Sequence, residues 1–92
     1  MSDAFKKKLF SLSAAIMERG LKLVDQIPST LKPEHDVESI RSYFEANEYG
    51  LAMDMLNELI ESGLQLQGLA IDDFIRIEGL MKEVAELYEK GA

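Results

Sequence analysis

Apolar residues return every three or four positions through most of this chain, and the stretches that share this helical spacing number four. From about Phe5 to Asp25, Phe5, Leu9, Leu12, Ile16 and Leu23 fall on one side at about 100° per residue, and Phe10, Met17, Leu21 and Val24 widen that stripe. Lys7, Lys8, Ser11, Glu18 and Lys22 lie opposite. Pro28 biases Ile27 away from helical backbone and ends the run. Gly20 sits on the apolar side, where it either admits a second helix at short range or marks a slight bend.

The proline-bounded stretch Pro28–Pro33 reads as a loop. A short second helix follows over about Glu34–Ala46, with Val37, Ile40 and Phe44 at helical spacing and Asn47 as its stop. The third runs over about Tyr49–Ser62 with Leu51, Ala52, Met55, Leu56, Leu59 and Ile60 on its core side, and Gly63 stops it. The fourth runs over about Ile71–Lys90 with a stripe of Phe74, Ile77, Leu80, Met81, Val84, Leu87 and Tyr88. No alternation long enough for a strand competes. The helix pair 34–62 resembles one tetratricopeptide unit, but one unit cannot bury its own face, so it is read as a hairpin inside a bundle. The expectation is a single domain over residues 1–92, all-α, a compact bundle of about four helices. Its expected core is Leu12, Ile16, Phe44, Leu56, Leu59, Phe74, Ile77, Leu80 and Val84.

Charge adds an asymmetry. The net charge is −7, but residues 1–33 carry six Lys/Arg against three Asp/Glu, and residues 34–92 carry four against fourteen. An acidic surface repels nucleic acid and attracts basic partners, although acidity also serves plain solubility; neither nucleic acid nor a membrane is an expected partner. Lys6, Lys7 and Lys8 before the apolar run Leu9–Met17 have the look of a signal peptide, but Ser11 and Ser13 interrupt the run and Glu18-Arg19 follows with no small-residue cleavage site. No run reaches the length of about 18 apolar residues that a membrane span needs. The chain has no Cys, which fits a reducing, cytoplasmic setting.

Catalytic chemistry has little to build on. His35 is the one histidine, and with no Cys beside it the expected role is a surface residue near a helix start, not a metal ligand. Glycines occur singly, so no phosphate-cradling loop forms, and no nucleophile–base or metal-ligand spacing appears. Asp72 and Asp73 are adjacent and should point apart on a helix. The expectation is no catalytic residues, no metal and no cofactor.

The third helix carries the sharpest polar feature. Asp54, Glu58 and Glu61 stack at i, i+4 and i+7 with no Lys or Arg on that helix to balance them. Glu45 and Glu48 extend the negative field at the preceding turn. The stripe is either a docking surface for a basic partner or a solvated acidic face. Tyr43 and Tyr49 flank the same turn beside Arg41, as interface anchors or as half-buried packing residues. On the fourth helix Glu78, Lys82, Glu86 and Lys90 alternate in sign, the pattern of an ordinary solvated face. Ile75 and Gly79 interrupt that face, and the apolar segment Leu64–Leu69 is expected to fold back over them in preference to a partner doing so.

The run Asn47-Glu-Tyr-Gly-Leu-Ala-Met-Asp-Met-Leu-Asn-Glu-Leu59, followed by Leu69-Ala-Ile-Asp-Asp-Phe-Ile-Arg-Ile77, resembles a signature of small helical bacterial immunity proteins, those of the MafI family and of contact-dependent growth inhibition systems. The resemblance covers residues 36–90 and leaves the first helix outside it. It implies a cytoplasmic antidote that binds and neutralises a cognate toxin domain. Many such toxins are nucleases with basic clefts, where acidic side chains take the positions of substrate phosphates or steer the encounter. The alternative is a helical adaptor or regulatory subunit of another complex. An adaptor for a neutral or acidic partner would not need the unbalanced stripe.

Overall fold

The computed structural model describes residues 2–27 and 34–91. The expected loop at 28–33 and the side chain of His35 lie outside the described residues. Among the described residues there are four helices: α1 Asp3–Asp25, α2 Glu34–Glu45, α3 Tyr49–Glu61 and α4 Leu69–Gly91. No strand occurs among the described residues, so the bundle is all-α.

Local chemistry sets the helix ends. Ser2 caps α1 by accepting the Phe5 N–H at 3.1 Å, which starts the helix two residues before the apolar stripe does. Two Schellman turns close α2 and α3. After α2, the Glu48 N–H reaches the Tyr43 carbonyl (2.8 Å) and the Asn47 N–H reaches Phe44 (3.1 Å), with Asn47 at φ 60°. After α3, the Leu64 N–H reaches Leu59 (2.9 Å) and the Gly63 N–H reaches Ile60 (3.1 Å). Gly63 stands at φ 117°, a backbone open in practice only to glycine. Both turns cover carbonyls that the helix end leaves unpaired.

The first helix is the hub. It runs antiparallel to α4, with the Phe5 and Tyr88 rings edge to face at 5.4 Å at one end and Arg19 and Gln26 reaching Asp73 toward the other. The α2–α3 hairpin leans on its second half, where Gly20 lies under the Phe44 ring and Arg41 pairs with Asp25 at 2.9 Å. A helix of 23 residues is about 35 Å long and one of 12 about 18 Å, so α2 spans only half of α1. The molecule is accordingly elongated, 46 × 21 × 18 Å.

One core runs through this arrangement, centred on Ile16, Leu23, Ile40, Phe44, Leu56 and Ile77, all fully enclosed. Of the expected core positions, Phe74 is the exception: it is half-buried at the flank, and its neighbour Asp73 occupies the seam at 5% exposure. The buried seam of α4 reads Asp73, Ile77, Leu80, Val84, and a carboxylate is tolerated there because α1 satisfies both its oxygens. Arg19 donates to Oδ1 at 3.2 Å and Gln26 donates to Oδ2 at 3.0 Å. Asp72 is exposed, so the adjacent pair does point apart. Asp73→Ala should lower stability by about 1–3 kcal/mol, at the low end because Arg19 is half-exposed and can rehydrate. Urea denaturation reads this directly, and an unchanged midpoint would show that the clamp adds nothing net.

Four further expectations are corrected. Phe10, assigned to the α1 stripe, is 78% exposed because the α2–α3 hairpin ends short of it. Leu51, assigned to the core side of α3, is 50% exposed, since it stands a full 100° step round from the buried Ala52. Tyr88 is also exposed beyond its contact with Phe5. The 64–69 segment does not cover Ile75, which is 60% exposed. The Schellman turn carries Leu64 into the core beside Leu59, and the segment faces Gln26 and Ile27 at the end of α1 instead.

Candidate functional site

The outer face of α3 presents Asp54, Glu58 and Glu61 to solvent, as the spacing dictates. Among the described residues no cation pairs with any of them. The cations that do pair are used elsewhere: Arg41 by Asp25 and Glu38, Lys22 by Glu18, Arg19 by Asp73. Glu45 and Glu48 are exposed on the α2–α3 turn and likewise unpaired. The stripe is therefore an uncompensated field and not half of an internal network.

Tyr43 and Tyr49 are half-buried and pack against the core. Arg41 beside them is committed to Asp25, so this corner offers no free guanidinium.

Two features of the site were not anticipated. Leu51 and the half-buried Met55 run beside the acidic stripe on the same helix, placing exposed apolar surface next to the carboxylates. A cleft of about 350 Å³ also opens between α3 and α4, lined by Gly50, Met53, Asp54 and Asn57 on one side and Glu78 and Met81 on the other. Its lining combines two methionines with carboxylates on opposing helices. A Cβ at Gly50 would meet nothing within 4 Å, so the cleft has open space at that end. Outside the cleft on α4, Ile71 and Ile75 form an exposed i, i+4 pair, with Glu78 three residues further on.

Chemically, the cleft suits a long cationic side chain. The methylene stem of a Lys or Arg would lie on Met53 and Met81 while its head group met Asp54 and Glu78. The exposed Leu51, Ile71 and Ile75 would supply apolar contact around it. Among the described residues no three His, Asp or Glu side chains converge as a metal site would require. No described helix is long and apolar enough to cross a membrane. Comparison of the chain with protein-family models, with curated proteins and with solved structures finds no match in any of the three.

Proposed function

We propose that this chain is an immunity protein of the kind its 36–90 segment resembles, acting by binding and not by catalysis. Its occupant is a cognate toxin domain with a basic surface, a nuclease with a basic cleft being the class that the charge fits, and it works in the cytoplasm. The observation that carries the reading is the α3–α4 cleft: unpaired Asp54 lines it together with Glu78, Met53 and Met81, and exposed Leu51 and Ile75 stand elsewhere on the same two helices. That combination suits a protein partner presenting Lys or Arg better than a small ligand. Basic residues give speed and orientation to the encounter, and the apolar anchors give it persistence.

The test is co-expression with the product of the reading frame directly upstream. The expected result is a co-purifying complex in which the upstream protein's activity, assayed on DNA, RNA and cell growth, is suppressed. A soluble upstream protein that neither binds this chain nor loses activity with it would overturn the reading and leave the adaptor alternative.

A further inference from the structure

The middle of α1 carries a second apolar face that the rest of the molecule leaves partly open, with Phe10 and Ala14 exposed and Met17 and Leu21 half-buried. Phe10, Ala14, Met17 and Leu21, with Ser13 at the edge, line a shallow groove of about 450 Å³ that ends at Asn47 of the α2–α3 turn. At helical angles Phe10, Ala14, Met17 and Leu21 centre about 150° round from the buried seam of Phe5, Leu12, Ile16 and Leu23. A single exposed Phe is ordinary, but a phenylalanine in line with a methionine and a leucine over three turns is a face.

We infer that this face pairs with the same face of a second copy, the two α1 helices crossing antiparallel about a two-fold axis near the Ser13–Ala14 peptide. The order of residues is self-complementary about that point. Phe10 of one copy falls opposite Met17 of the other, and the reverse, while Ser13 and Ala14 at the crossing are small enough for close approach. Lys6 falls opposite Leu21, which its methylene stem can cover.

Charge selects the occupant. Lys7 and Glu18 are eleven residues apart, three helical turns, and so lie on the same flank of the groove. In an antiparallel two-fold pairing like flanks meet. Lys7 of each copy then arrives within two residues, about 3 Å along the axis, of Glu18 of the other. Two such pairs form per dimer. A parallel two-fold pairing would bring unlike flanks together and leave Lys7 three turns from the other copy's Glu18. Lys7 is exposed and makes no ion pair among the described residues, and Glu18 holds only the exposed Lys22 at 3.3 Å. The face shares no lining residue with the α3–α4 cleft, so the inference does not rest on the partner reading.

One helix face buries less than the roughly 800 Å² per partner of a stable complex, so the association is weak and reversible. Sedimentation equilibrium of the whole chain from about 10 µM to about 1 mM should show the mass rising from 10.4 kDa toward twice that value. Phe10→Asp changes an exposed side chain, leaves the fold intact by circular dichroism, and should weaken self-association at least tenfold. Lys7→Glu and Glu18→Lys should each weaken it severalfold alone, and an equimolar mixture of the two should associate about as well as the wild type or better, because both junctions are then again opposite in sign. A chain that stays monomeric throughout the range overturns the inference, as does a dimer indifferent to Phe10→Asp or a mixture no better than its components. Phe10→Asp abolishing toxin binding while the wild type stays monomeric would assign the face to a different partner and overturn the inference equally.

Discussion

Gly20→Ala is expected to destabilise the protein by about 3 kcal/mol, although the same change stabilises most helices. A Cβ at position 20 would stand 2.3 Å from Cδ1 and 2.4 Å from Cε1 of Phe44, where carbon atoms in contact ordinarily stay about 3.5–4.0 Å apart. The Phe44 ring cannot withdraw, because it is fully enclosed at the centre of the core. Alanine gains about 1 kcal/mol of helix propensity over glycine. Against that, α2 must be pushed off α1, which loosens packing around Ile40 and Leu23 and strains the Arg41–Asp25 pair. The overlap wins. Gly20→Val should go further and leave the chain largely unfolded. Phe44→Leu combined with Gly20→Ala should recover part of the loss, since the smaller side chain vacates the contested space. A double-mutant cycle on urea midpoints reads this coupling. Additive effects, or a neutral Gly20→Ala, would mean that the helices are not held in this contact in solution.

Reversing two charges on α3 is expected to be as costly for binding as Gly20→Ala is for folding. Asp54→Lys with Glu58→Lys replaces two exposed acids and should leave the thermal midpoint nearly unchanged. Affinity for the proposed basic partner should fall by about 2–5 kcal/mol if Asp54 is enclosed in the cleft on binding, with most of the change in dissociation rate. If both residues stay at the rim, the fall is smaller, appears in the association rate, and removes much of the salt dependence. The control is the same double reversal at Glu83 and Glu86, exposed acids of α4 outside the cleft lining. Equal losses in both variants would show that only net charge matters. No loss in the first would move the interface off α3.

The helices could be read from the sequence because their determinants are local. Asn47 and Gly63 mark two ends by their backbone preferences alone, and Ile16, Leu56 and Ile77 stand at the centre of their stripes, where any packing partner would enclose them. Residues at the edge of a stripe follow a different rule. Phe10 is as apolar as Phe5, and its exposure depends on how far along α1 the α2–α3 hairpin reaches, which no single helix encodes. Asp73 is the converse case. It is a charged residue in a buried seam because Arg19 and Gln26, remote in sequence, converge on it from α1. The acidic stripe was visible in the i, i+4, i+7 spacing of Asp54, Glu58 and Glu61. The cleft was not, because Glu78 and Met81 join it only through the placement of α4 across an open gap from α3.

The pairing of α1 with α4 also bears on how the chain is made. Arg19 and Asp73 are separated by 54 positions, an interval that a ribosome translates in roughly 3–11 s at about 5–20 residues per second. Through that window the nascent α1 has an apolar seam and no α4 to close it. The α2–α3 hairpin is a local structure that emerges sooner, and it shelters the second half of α1 while the first half, with Phe5 and Leu9, waits. The lysines at 6, 7 and 8 border that waiting half and keep it hydrated. Synthesis speed between α3 and α4 is therefore a variable to which the yield of folded protein should respond.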